Sequence, residues 1–145
     1  MSSSALRLSP WKQVLRAVRV HHWMKNILVF VPVLFAHKGT DTARLLAALI
    51  AGVSFSLCAS AGYIFNDILD RQADRQHPTK KQRPFAAGRL SVSTGLVLLA
   101  GLLGGSFLIA GTWLPFSCVM LLGVYAASSG LYSSLLKRLV IIDVL

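Results

Sequence analysis

The chain has 145 residues, of which 54% are hydrophobic and only 14% charged, with a mean hydropathy of +0.62. A soluble domain carries about a quarter charged residues, so the deficit points to lipid and against a water-soluble globular class. The 15 Lys and Arg outnumber 5 acids, all of them Asp, for a net charge of +10. These cations lie between long apolar runs, and Leu90–Leu136 holds no Asp, Glu, Lys or Arg; no nucleic-acid module is built that way, so no nucleic acid partner is expected.

Met1–Pro10 is short and polar, without the apolar core of a secretory signal. A spanning helix needs about 20 mostly apolar residues. Asn26–Ala36 is too short alone, so the first span is expected to borrow from Val14–Lys25, which holds Arg16, Arg19, His21, His22 and Lys25. Leu45–Phe65, Leu90–Gly111 and Phe116–Leu136 supply three more spans. The last two are joined by Thr112–Pro115, a tight turn with an interfacial Trp113 and a helix-starting Pro115. A further helix is expected from Leu139 to the last residue, Leu145. The predicted fold class is all-α: a polytopic transmembrane helix bundle whose helices pack through small residues such as Gly101, Gly105 and Ala126–Gly130. Cys58 and Cys118 stand in apolar segments and read as packing residues.

Topology follows from the cations. Arg7, Lys12, Arg16, Arg19 and Lys25 precede the first span, Arg71–Arg89 holds six more, and Lys137 and Arg138 follow the fourth. Placing the N-terminus inside leaves only Lys38 and Arg44 on the far face, so 13 of the 15 are cytoplasmic. A multi-pass protein of the cell membrane is expected, with a cytoplasmic tail over residues 1–13.

The most informative stretch runs from Asn66 to Pro78 and holds Asp67, Asp70 and Asp74, three of the five acids. At about 100° per residue with Asn66 as zero, Asp70, Asp74 and Asp67 fall at about 40°, 80° and 100°, on one helix face. Pro78 disfavours continuing the helix beyond His77. Carboxylates at a helix C-terminus oppose the macrodipole and repel one another, so a compensating charge is required. Mg²⁺ is the economical candidate: it takes hard oxygens and commonly joins carboxylates to substrate phosphates, and it makes a diphosphate a better leaving group. The competing structural reading is a solvated helix end with Asp67 and Arg71 paired at i, i+4; it leaves Asp70 and Asp74 unexplained.

His77–Arg89 follows with a run of cations. Lys80 and Arg83, nearest the acids, are candidate phosphate contacts, whereas Lys81 and Arg89 fit the ordinary cytoplasmic excess of positive charge. Lys25, beside Trp23 and Asn26 where the first span enters the membrane, either faces the bundle interior or snorkels to the interface. His21, His22 and His37 show no ligand spacing.

Asn66-Asp67-x-x-Asp70-x-x-x-Asp74 resembles the first Asp-rich motif of the UbiA superfamily of intramembrane prenyl transferases, and the resemblance runs from Arg19 to the end. It implies a bundle of about nine spans, of which four and the start of a fifth are present here, with Mg²⁺ and a diphosphate donor bound at a cytoplasmic-side cavity. Trp23–Asn26, His77–Gly88 and Tyr132–Lys137 look most like the decaprenyl-phosphate phosphoribosyltransferase branch. There the donor is phosphoribosyl diphosphate and the acceptor a polyprenyl phosphate. In the quinone branch a polyprenyl diphosphate alkylates an aromatic ring with the same metal-diphosphate device.

Carried over by position, Asp67, Asp70 and Asp74 would hold the metal, and Asn66 would support them or touch substrate. Lys25, Lys80 and Arg83 would contact phosphate, and Tyr132 and Lys137 would stand near the reacting centre. The Tyr132-to-Lys137 spacing is longer than in quinone-type members. Residues 1–145 are thus expected to be the N-terminal part of one transmembrane domain, with residues 67–89 as its active-site loop and a second motif supplied beyond them. Four spans and a stub are too few to enclose a lipid substrate, so the chain alone is expected to be inactive. The rival class is a membrane transporter or structural protein using the acids as a gate; it calls for acids near the bilayer midplane in broken helices, not at the end of a span.

Overall fold

The computed structural model describes residues 9–26, 41–136 and 138–139. The chain forms α1 (Pro10–Val18), a 3₁₀ turn (Val20–His22), α2 (Thr42–Leu69), α3 (Arg71–Gln76), a second 3₁₀ turn (Lys80–Gln82), α4 (Val92–Trp113) and α5 (Phe116–Leu131). The end of α5 widens into a π turn over Tyr132–Leu136. Among the described residues there is no strand.

Among the described residues three helices are long and apolar enough to cross a membrane: Thr42–Leu69, Val92–Trp113 and Phe116–Leu135. They correspond to the second, third and fourth expected spans. Each begins where the sequence supplies a stop or a cap. The Asp41 carboxylate accepts the backbone N–H of Ala43 and Arg44, and the Ser91 hydroxyl accepts that of Thr94, satisfying donors that a helix start leaves orphaned. Leu114 and Pro115 break the chain between α4 and α5, as the Thr112–Pro115 turn predicted. With 28 residues, α2 is about 42 Å long at 1.5 Å per residue, well beyond the roughly 30 Å hydrocarbon core. Its ends therefore reach past the apolar zone, and the acids sit on one of those ends.

Helix α4 runs antiparallel to α2. The Ser106 hydroxyl donates to the Ser54 carbonyl at 2.7 Å, and at the other end of the pair Gly95 meets Ile68 and Phe85 so closely that a Cβ would lie 2.6 Å from the Phe85 ring. Helix α5 returns parallel to α2, with Gly62 against Ser129 and Phe55 against Tyr125. One apolar cluster, Ala17, Val18, Ile64 and Phe85, lies at the end that carries the acids; the other, Cys58, Ala110 and Leu122, lies deeper in the bundle.

The N-terminal segment corrects the expectation of one helix borrowing Val14–Lys25. Helix α1 stops at Val18, and Arg19 takes a left-handed conformation (φ 55°, ψ 46°) before the turn over Val20–His22. The break lets the chain turn along α2: the Trp23 indole donates to the Ser60 hydroxyl at 2.8 Å, and Ser60 donates to the Val18 carbonyl at 2.7 Å. On a straight helix Val18 and Trp23, five residues apart, would point about 140° from each other and could not both meet Ser60. Helix α1 also takes in residues 10–13 of the expected tail, with Gln13 buried against the fold. Residues 27–40 and 140–145, and with them most of the expected first span and final helix, lie outside the described residues.

Candidate functional site

The polar site is built at the C-terminal end of α2, where α1, α3 and the loop leading to α4 converge. The regular helix ends at Leu69; Asp70 adopts φ −84°, ψ 0°, and α3 runs on to Gln76. The helical bonding is nearly continuous through this bend. The Asp70 N–H donates to the Asn66 carbonyl and the Asp74 N–H to the Asp70 carbonyl. Asp67 and Asp74 therefore stay on a common side, as the angular count predicted, while the chain turns between them. Helix α3 ends just before His77 and Pro78.

The loop after α3 is folded back by specific contacts. The ring Nδ1 of His77 accepts the N–H of Thr79 and Lys80, closing the turn that carries the basic run. The Arg75 Nε donates to the Ala86 carbonyl at 3.1 Å. Phe85, fully buried, plugs the space that Gly95 leaves open on α4. Gly88, at φ 72°, makes the positive-φ turn that glycine tolerates best. With Phe85 fixed, Arg83 points back to the end of α2.

There the charges meet. The side chains of Asp67 and Asp74 are 2% and 5% exposed. The Arg83 NH1 group donates to Asp67 Oδ1 at 3.2 Å and to Asp74 Oδ2 at 2.9 Å, so both carboxylates converge on one cationic nitrogen. The Arg19 NH2 group donates to the same Asp67 Oδ1 at 2.8 Å, and its guanidinium lies 4.7 Å from the centre of the Tyr63 ring. A buried carboxylate without partners is strongly disfavoured; here two guanidiniums answer two acids. The local Asp67–Arg71 pair weighed from sequence is replaced by these long-range partners. His22, in the turn outside the three spans, is pushed below its ordinary pKa by desolvation and then by His21, Lys25 and Arg19.

The other candidate residues are placed unevenly. Asn66 and Asp70 are half-buried at the bend. Lys80 is exposed and, with Arg16, Thr79, Gln82, Pro84 and Arg83, lines an open cleft of about 360 Å³ beside the acids. Lys25 is exposed and bonds to neither Asp67 nor Asp74. Tyr132 is 60% exposed in the π turn, and Lys137 lies outside the described residues. A second, apolar cavity of about 220 Å³ opens between α2, α4 and α5, lined by Cys58, Gly62, Phe65, Leu103 and Ser129 among others.

Among the described residues no three His, Cys, Asp or Glu side chains are grouped closely enough to hold a metal ion. Two carboxylates do converge, on a point that the Arg83 NH1 group fills. Hard oxygen donors around a cationic position fit Mg²⁺, which takes one or two carboxylates and completes its shell with water and phosphate. Of the three acids expected to hold it, Asp67 and Asp74 converge here, and Asp70 stands at the bend between them.

Sequence reasoning missed Arg19 as a site residue and missed the anchoring roles of Ser60, Trp23 and Phe85. The one usable signal was the acid cluster's need for counter-charge; nothing in the spacing selected Arg19, 48 residues from its partner.

The UbiA prenyltransferase family matches residues 26–145. An uncharacterized protein, y4nM, of Sinorhizobium fredii is 39% identical over 139 residues, covering 93% of this chain and 26% of that protein. The nodulation protein NoeC of Azorhizobium caulinodans is 46% identical over 100 residues, covering 66% of this chain and 32% of that protein. The decaprenyl-phosphate phosphoribosyltransferase of Mycobacterium tuberculosis is 37% identical over 136 residues, covering 90% of this chain and 44% of that enzyme. The chain thus spans less than half the length of these curated relatives. No solved structure matches it. A family match over most of the chain, three membrane-length helices and an acid motif at the end of one of them lead to one conclusion: the chain belongs to the UbiA prenyltransferase family.

Proposed function

We propose that this chain carries the donor-binding half of a Mg²⁺-dependent intramembrane transferase. In this reading the donor is phosphoribosyl diphosphate and the acceptor a polyprenyl phosphate. The observation that supports it best is the buried pair Asp67 and Asp74 converging on one cationic position beside a basic cleft. The likeness to the decaprenyl-phosphate phosphoribosyltransferase of Mycobacterium tuberculosis supports the choice of substrates.

The division of labour follows from charge and polarity. Asp67 and Asp74, with Asp70 at the bend beside them, would hold Mg²⁺, which would supply charge neutralisation for a departing diphosphate. Arg83 and Lys80 hold phosphate oxygens by charge-assisted hydrogen bonds. The acceptor's phosphate oxygen forms the new bond to the anomeric carbon of ribose; the bond from that carbon to the diphosphate breaks, and the electron pair leaves with the diphosphate. The burial of Asp67 and Asp74 keeps water from competing for their oxygens. Asn66, Lys25, Tyr132 and Lys137 are assigned supporting contacts to substrate on motif position.

The apolar cavity between α2, α4 and α5 is a place for part of the acceptor's tail. At about 220 Å³ it is below the usual range of roughly 300–1,000 Å³ for a ligand pocket, so most of the tail would lie in lipid. In this reading the N-terminus and the acid motif lie on the cytoplasmic face of the cell membrane, which the excess of Lys and Arg around them supports. Residues 1–145 then form the N-terminal part of a single transmembrane domain, with 67–89 as its active-site loop.

The test uses the complete polypeptide carrying this sequence, in membranes, with Mg²⁺, radiolabelled phosphoribosyl diphosphate and a polyprenyl phosphate. Label should enter the lipid phase and stop doing so with EDTA. Transfer from a polyprenyl diphosphate to an aromatic acceptor, with none from phosphoribosyl diphosphate, would move the protein to the prenylating branch.

A further inference from the structure

Arg19 is the one non-glycine residue with positive φ among the described residues. A left-handed conformation costs an ordinary residue roughly 1–2 kcal/mol, so packing must fix it. Ser60 ties down Val18 on one side and Trp23 on the other. From that anchor the Arg19 side chain crosses Tyr63 and reaches Asp67. Ser60, Tyr63 and Asp67 lie at i, i+3 and i+7 on α2, one face of the helix. The N-terminal segment therefore runs along this face and delivers a guanidinium to the acid that the metal would need.

Counted as ionised, Asp67 and Asp74 carry two negative charges, and Arg19 and Arg83 return two positive ones. These four side chains balance one another in charge. A divalent cation arriving alone must displace a guanidinium or sit against two of them, and like charges at such distances repel strongly. A diphosphate changes the balance, because it offers the guanidiniums new oxygens. Arg83 is placed for that exchange, since it touches both acids and lines the basic cleft with Arg16 and Lys80.

We propose that Arg19 and Arg83 are exchange partners of the acid pair: they occupy Asp67 and Asp74 in the unloaded protein and yield them only when metal and diphosphate arrive together. Both are positioning residues in this role. The consequence is a site that resists metal alone. By linkage, the factor by which diphosphate improves metal affinity is the factor by which metal improves diphosphate affinity. The proposal rests on the metal-diphosphate reading above and adds the order in which charge is exchanged.

Binding of Mn²⁺ alone tests it, read from the free-Mn²⁺ signal in electron paramagnetic resonance, with the complete polypeptide in lipid nanodiscs and no phosphate present. Arg19→Gln should bind Mn²⁺ about tenfold more tightly than the parent, within the roughly 5- to 150-fold range usual for coupled sites. Arg19→Lys, which keeps the charge, should stay close to the parent. A purely structural role predicts the opposite sign, because a disordered Asp67 would bind less. Equal or weaker Mn²⁺ binding in a folded Arg19→Gln protein would overturn the exchange. Should that variant fail to fold, Arg83→Gln carries the same expectation and the same refutation. Asp67→Asn separates the two ideas. If it removes Mn²⁺ binding while Arg19→Gln does not tighten it, only the exchange falls; if Mn²⁺ binds to neither the parent nor the variants even after inorganic diphosphate is added, the metal reading falls with it.

Discussion

The C-terminal end of α2 and the middle of the same helix are held by different forces. Around Asp67, four charged side chains from three parts of the chain meet within hydrogen-bonding distance. A few turns earlier the helix meets small residues, Ser106 through a carbonyl and Ser129 across Gly62, and the helices beyond it bury little. Among their residues α4 buries Gly95, Ser106 and Ala110, and α5 only Leu122. The spans need no tight core, since lipid is as apolar as leucine and association rests on close packing and occasional hydrogen bonds. The polar end has no such freedom. Each buried charge there requires a specific partner, so substitutions at that end should cost far more than those in the spans.

The largest effect on stability is expected for Phe85→Ala. It empties a fully buried site and should cost about 3–5 kcal/mol, releasing the loop that aims Arg83. Denaturant titration in mixed micelles measures it, with Phe116→Ala, on an exposed ring, as the control that should change little.

Arg19→Ala comes next. Breaking a buried pair from one side costs about 3–5 kcal/mol, and the remaining exposure of the Arg19 side chain, 20%, places this case at the lower end or beneath it. Arg19→Gly should recover about 1 kcal/mol of that loss, because glycine accepts the left-handed backbone. The difference between the two variants separates backbone strain from charge pairing. If Gly and Ala are equally destabilised, the left-handed residue carries no strain.

Gly95→Ala sharpens the comparison within α4. The added carbon would meet Phe85 and Ile68, an overpacking worth roughly 1–3 kcal/mol. Gly62→Ala meets only the Ser129 hydroxyl, which can rotate away, so its cost should be smaller. Gly101→Ala meets nothing within 4 Å and should be neutral or slightly stabilising, since alanine favours helix by about 1 kcal/mol. The order Gly95, Gly62, Gly101 in melting temperature is the expected result; a Gly101 variant as damaging as Gly95 would point to a helix face that is covered.

What could be read from the sequence divides along the same line. The spans α2, α4 and α5 and the turn at Leu114 and Pro115 were legible, because composition alone sets a membrane helix and proline marks its start. The acid motif was legible for the same reason that Asp67 and Asp74 share a side: helical spacing is local information. The break at Arg19 was not, because arginine gives no signal for a left-handed residue and only contacts to Ser60 and Asp67 fix it. The bend at Asp70 was hidden too, since the spacing allowed a straight helix to Gln76. Arg83 was singled out for its closeness in sequence to the acids, and the structure joins it to both. Tyr132, chosen on motif position, carries an exposed side chain at the end of α5.

The central proposal is that Asp67 and Asp74 would hold the metal-diphosphate centre of a transferase. Its most direct test is Mg²⁺-dependent transfer from phosphoribosyl diphosphate by the complete polypeptide, with Asp67→Asn and Asp74→Asn measured beside the parent at equal membrane insertion. Each amide should lower the rate by about 100-fold or more, as losing one charge-stabilising group does elsewhere, while the protein remains in the membrane. Parent-like transfer in both variants would contradict the account.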